Sequence, residues 1–94
     1  MERVIEVVPE AGLHARPASK FVQTANSYES ELKIGRAGDA DDELVSANSM
    51  LAVTGLNVGH GESVRIIANG ADAEDALNAL EALLSTPVEE GDGG

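Results

Sequence analysis

The apolar positions change period several times along the chain. "ERVIEVVP", residues 2–9, is rich in β-branched side chains and bounded by Pro9, which predicts a first strand. Between Ala15 and about Asn26 the spacing lengthens: Ala18, Phe21, Val22 and Ala25 fall at i, i+3, i+4 and i+7, one face of a helix. Pro17 sits in the first turn of that helix, where its missing N–H costs nothing. "ELKIG" (31–35) and "ELVSA" (43–47) read as two strands joined by the acidic connection "RAGDADD". "NSMLAVTGLN" (48–57) is a short helix with Asn48 or Ser49 as its cap and Gly55 near its end. A Gly-His-Gly turn then leads into a strand with Val64, Ile66 and Ala68 on one face. In "DAEDALNALEALL" (72–84), Ala73, Ala76, Leu77, Leu80, Leu83 and Leu84 form a continuous stripe. Asp72, Glu74 and Asp75 stand in its first turn, where the helix dipole favours them.

The predicted order is β-α-β-β-α-β-α, an α+β domain. Four strands and two substantial helices in so short a chain fit a four-stranded antiparallel sheet with helices on one face and solvent on the other. Residues 1–86 make the domain, and residues 87–94 are expected to form a flexible, acidic, Gly-rich tail.

Composition narrows the function classes. At 94 residues, with Phe21 and Tyr28 as the only aromatics, the core must be built from Val, Leu, Ile, Ala and Met. The absence of cysteine excludes disulfides, thiolate metal sites and thiol nucleophiles. The apolar runs are too short to span a bilayer and no signal-peptide pattern opens the chain, so a cytoplasmic protein without membrane insertion is expected. Seventeen acidic residues against six basic ones give a net charge of -11, which argues against nucleic acid or anionic membrane as partner. Abundant Asp and Glu with only Lys20 and Lys33 as lysines suggest adaptation to high salt. The thermal midpoint should therefore be markedly higher in molar KCl than in dilute buffer, because salt screens the self-repulsion. Equal midpoints would contradict that reading.

The chemistry concentrates in "AGLHARPASKFV", residues 11–22. His14 stands at or next to the N-cap of the first helix, where the backbone N–H groups of Ala15 and Arg16 face an approaching anion and the dipole favours it. The Arg16 guanidinium can grip phosphate oxygens in bidentate fashion. Imidazole is a nucleophile near neutral pH, so one ring nitrogen can take a phosphoryl group. The competing reading is a surface histidine near a helix start. His60 lies in a distant turn as a solvated residue, so no metal pair with His14 is expected. Ser49 reads first as a plain helix cap, although a phosphoserine there would also suit the dipole. Met50 and Leu51 are either core or an exposed docking patch.

"GLHARPASKFV" resembles the active-site signature of the HPr family, the histidine-containing phosphocarriers of the sugar phosphotransferase system. "ANSMLAVTGL" is similar to the segment carrying that family's regulatory serine, and "GHGESVRIIANGADAEDALNALEALL" to its last strand and helix. The resemblance runs from residue 2 to about 86. It implies an open-faced β-sandwich with three helices on one side of the sheet, and no cofactor. It implies a monomeric carrier that takes phosphate from phospho-enzyme I on His14 Nδ1 and passes it to an enzyme II A domain, with Arg16 stabilising the phosphoryl group. By the same carry-over Ser49 matches the serine modified by HPr kinase, and Met50, Leu51 and Val53 match the docking patch. A regulatory phosphoprotein of the nitrogen-type branch would share the site, and a non-phosphorylated interaction module would share the fold. Three departures stand out. Ala11 replaces the usual Ser or Asn, Gln23 and Ala52 occupy positions where lysine is common, and the connection from Gly38 to Glu43 is longer and more acidic than the family pattern.

Overall fold

A computed structural model describes residues 1–86; the predicted tail over 87–94 lies outside the described residues. Four strands, β1 (Glu2–Glu6), β2 (Glu31–Arg36), β3 (Val45–Ser46) and β4 (Ser63–Asn69), form one antiparallel sheet in the order β1-β4-β2-β3. Three helices, α1 (Ala15–Asn26), α2 (Met50–Gly55) and α3 (Ala73–Leu84), complete the predicted β-α-β-β-α-β-α order.

Strand alternation decides which side of the sheet is covered. Ile5 of β1 pairs with Val64 of β4, and Ile34 and Leu32 of β2 pair with Ile66 and Ala68, so one face presents a continuous apolar surface. All six side chains are buried. α1 and α3 lay their stripes on that face: Ala18, Phe21 and Ala25 from the first, Ala76, Leu77, Leu80 and Leu84 from the second. The opposite face carries Glu2, Val4, Glu31 and Lys33 outward.

Two boundaries differ from the sequence pattern. β1 stops at Glu6 rather than reaching Pro9, because Val7 and Val8 leave the ladder to bond elsewhere: the Val7 N–H donates to the Glu62 carbonyl at 2.8 Å and the Val8 N–H to the Leu84 carbonyl at 2.9 Å. β3 is reduced from five residues to two. Asp41–Glu43 turn as a short 3-10 helix instead, clamped to the sheet by Arg65, whose guanidinium meets Asp41 at 2.8 Å, Glu2 at 3.3 Å and the Asp39 carbonyl at 2.8 Å. The long acidic connection is thus folded back on an arginine.

Asp72 also departs from its expected role. It occupies the N-cap position of α3 but makes no capping bond there. Its carboxylate accepts the N–H groups of Glu29 and Ser30, both at 2.9 Å, and the Ser30 hydroxyl, so it ties the α1–β2 turn to the start of α3. Gly70 makes room for this tie: its φ is +151°, and a Cβ there would lie 2.5 Å from Ser30 Oγ. The Ser30 hydroxyl, then the Glu29 amide, hold the Asp72 carboxyl below its ordinary value of 3.8. A carboxyl lowered on folding stabilises fully above its unfolded pKa and loses that contribution as pH falls through the folded one. Asp72→Asn should accordingly be less stable than wild type at neutral pH, with the gap closing in acid below pH 3.8. Denaturant titrations at several pH values check this, and a gap independent of pH would contradict it.

Candidate functional site

The segment before α1 is built to hold one residue in place. Pro9 accepts the Gly12 N–H in a tight turn at 2.9 Å, and Gly12 adopts φ +73°. A Cβ at Gly12 would sit 2.6 Å from the Val58 carbonyl oxygen and 2.7 Å from Gly59 Cα, so only glycine lets the two loops approach. The next residue, Leu13, donates its N–H to that same Val58 carbonyl at 2.9 Å and buries its side chain completely. After His14, the chain is pinned again by Pro17 and Ala18, both buried. His14 lies between these two anchors, half-exposed.

His14 is the N-cap residue of α1, with extended backbone and no side-chain capping bond, so its imidazole is not consumed by the helix it heads. The Ala18 N–H closes the first turn on the His14 carbonyl at 3.4 Å, and Pro17 has no N–H to offer. Ala15 and Arg16 therefore supply the backbone amides ahead of the first helical hydrogen bond. Both are exposed. α1 contains no acidic residue, and Arg16 and Lys20 give it positive charge in a chain of net charge -11.

Ala15 has φ +52°, the left-handed region, which costs a residue with a Cβ roughly 1–2 kcal/mol. The strained residue directly follows the histidine. Ala15→Gly should raise the unfolding free energy by about 0.5–1 kcal/mol, the relief being partly offset by the greater freedom of glycine when unfolded. Urea denaturation reads this, and a lowered stability would contradict it.

The remaining candidates separate. Ser49 caps α2, its hydroxyl accepting the Ala52 N–H at 3.3 Å. Met50 is 40% and Leu51 84% exposed, which puts both on the surface. Val53 is fully buried and packs in the core, so it leaves the docking set. Two residues of α-helix turn the chain by roughly 200°, which sends Leu51 and Val53 to opposite faces. His60 is exposed as expected, but its Nδ1 also bonds the Val8 carbonyl at 2.7 Å, tying the turn before β4 to the loop that leads to His14. α2 packs beside α1, so the Ser49–Leu51 surface and the His14 site lie on neighbouring elements.

A family model described as "PTS HPr component phosphorylation site" matches residues 1–86. The chain belongs to the HPr family. It is 66% identical over 87 residues to the phosphocarrier protein HPr of Haloferax volcanii, covering 93% of this chain and 96% of that protein. Its fold is similar to the crystal structure of an HPr from Bacillus anthracis, with a TM-score of 0.81 at 36% identity, covering 89% of this chain and 95% of that one. An HPr dimer from Thermoanaerobacter tengcongensis is similar at a TM-score of 0.66 and 38% identity, covering 86% and 88% of the two chains. The protein is thus a phosphocarrier of the phosphotransferase system, and its acidic composition together with the Haloferax likeness makes it a salt-adapted, haloarchaeal member.

One feature of this chain escapes motif reading yet is visible in the sequence. Of its seventeen acidic residues, none falls between Glu10 and Glu29, and none between Glu43 and Glu62. The first gap contains His14 and all of α1; the second contains Ser49 and all of α2. Residues that back the site, Val58 and Gly59, lie in the second gap and carry no signature of their own.

Proposed function

We propose that His14 is the residue that carries the phosphoryl group, receiving it from phospho-enzyme I and giving it to an enzyme II A domain. The observation that carries this reading is a half-exposed imidazole, unused as a helix cap, held between the buried Leu13 and the buried Pro17–Ala18 pair at the start of a helix without acidic residues. In the neutral Nε2–H tautomer the Nδ1 lone pair attacks phosphorus. The bond between phosphorus and the donor nitrogen breaks as the new one forms, and the ring keeps its single proton on Nε2. Arg16 and the first-turn amides of Ala15 and Arg16 balance the charge of the bound phosphoryl group. Transfer to the A domain reverses the step, so the protein is a covalent relay without turnover of its own.

Ser49 serves as the cap of α2. The chain works as a cytoplasmic monomer, in keeping with self-repulsion at a net charge of -11 and with the absence, among the described residues, of any helix long and apolar enough to cross a membrane. A reconstituted relay tests the assignment. With labelled phosphoenolpyruvate, enzyme I and an A domain, label should reach the A domain only when this protein is added, and His14→Ala should block it. Passage of label through His14→Ala would refute the assignment.

A further inference from the structure

The Gly-His-Gly turn that enters β4 reaches back to the segment that delivers His14. Val7 bonds this loop at both backbone groups: its N–H donates to the Glu62 carbonyl and its carbonyl accepts the Gly61 N–H, both at 2.8 Å. One residue on, the Val8 carbonyl accepts the His60 Nδ1–H at 2.7 Å. Pro9 then brings no N–H, and Glu10 and Ala11 are exposed. Among the described residues, the next bond from this segment to another part of the chain is the Leu13 N–H to the Val58 carbonyl. His60 thus sets the entry to the turn and Val58 its exit, from positions two residues apart in one loop. That loop is braced in its turn. Arg36, at the end of β2, donates to the Leu56 and Asn57 carbonyls at 2.9 and 3.2 Å and pairs with Glu62 at 2.8 Å. Glu62 also accepts the Gly59 N–H at 3.2 Å.

A carbonyl oxygen can only accept, so the neutral His60 ring carries its proton on Nδ1 and leaves Nε2 bare. Protonation at Nε2 keeps the Nδ1–H donor in place, so the bond persists in both charge states. His60 is exposed, and water can replace either partner, so loss of the bond removes little stability. What the bond fixes is direction: it orients the Val8–Pro9 peptide, from which the turn through Gly12 starts. Resting on the carrier role proposed above, we infer that His60 is a positioning residue for phosphoryl transfer. Through the Val8 carbonyl it sets the turn over residues 9–12, and through Gly12 and Leu13 the place of His14. Gly12 already lies so close to the Val58 carbonyl and Gly59 Cα that a Cβ would clash. A tilt of the turn therefore cannot be absorbed at Gly12 and passes on to Leu13 and His14. In-line attack needs reacting atoms about 3–3.5 Å apart and aligned, and a misplacement of about 1 Å can cost on the order of 10²-fold.

Rapid-quench transfer from phospho-enzyme I tests this, with thermal midpoints measured in molar KCl. His60→Ala should lower the maximal rate by on the order of 10-fold. The half-saturating concentration of phospho-enzyme I should stay unchanged, and the midpoint should stay close to that of wild type. His60→Asn should restore most of the rate, because its amide nitrogen stands where the imidazole Nδ1–H does. In wild type, 15N NMR should show His60 protonated on Nδ1. Hydrogen exchange at the Leu13 amide should quicken in His60→Ala and return to the wild-type rate in His60→Asn. A wild-type maximal rate in His60→Ala, an asparagine variant as slow as the alanine one, or a wild-type His60 ring protonated on Nε2 alone would overturn the inference. The NMR readouts need no phosphate. A wild-type protein that takes no phosphate on His14 would refute the carrier assignment, while the tautomer and the Leu13 exchange would still decide whether His60 holds the turn, so the two fail separately.

Discussion

Arg16→Ala is expected to slow phosphoryl acceptance by on the order of 10²-fold while leaving the fold in place. Arg16 is exposed in the first turn of α1, and substitutions at such positions usually change stability by less than about 0.5 kcal/mol. In the proposed relay its contribution would be to the phosphoryl group on His14. A phosphoryl dianion at the N-cap gains from the helix dipole about 0.3–1 kcal/mol, too little to hold the transferring group alone, whereas a charge-assisted bidentate pair adds more and fixes orientation. Arg16→Lys should recover part of the rate, since it restores the charge without the planar fork. Initial rates of phosphorylation by enzyme I, with thermal midpoints measured alongside, check this. A wild-type rate in Arg16→Ala would remove the residue from the mechanism.

Phe21→Ala should cost roughly 3–5 kcal/mol, a large share of the 5–15 kcal/mol typical of a small domain. Phe21 is the only phenylalanine in the chain, is wholly buried, and stands in the middle of the α1 stripe that faces the sheet. The buried core is otherwise Val, Leu, Ile and Ala, with Tyr28 packed only at its edge, so no buried ring closes over the cavity. α1 also carries His14 and Arg16, so loosening it should reach the site and slow transfer in the variant that remains folded. Phe21→Leu, which keeps most of the volume, should lose much less. Urea denaturation in molar KCl gives both values, and a loss below about 1 kcal/mol for the alanine variant would contradict the packing described.

What the sequence made legible follows from how local each signal is. α1, β4 and α3 were readable because their apolar periods run unbroken over seven to twelve residues. β3 shrank because Glu43 is drawn into a turn that closes on Ala40, while Arg65 in another strand holds the preceding Asp41, a tie that no local pattern reveals. Val53 joined the docking set only through the family resemblance, and its full burial was not legible because a six-residue helix is too short to show a stripe. Asp72 was readable as a first-turn acid favoured by the helix dipole, but its bonds across to Glu29 and Ser30 were not. His14 and Arg16 were readable as candidates because the motif is contiguous. Their support was not, since Val58 and Gly59 lie far along the chain and are recruited by a backbone carbonyl and by the bare space at Gly12.

Phosphorylation by enzyme I and labelled phosphoenolpyruvate in high salt, followed by intact mass, acid lability and 31P NMR, tests directly whether His14 carries the phosphate. The expected result is a gain of one acid-labile phosphate, with the NMR signature of an Nδ1 phosphohistidine at residue 14, absent from His14→Ala. Phosphorylated enzyme I beside an unlabelled wild-type protein, or label retained by His14→Ala, would contradict it.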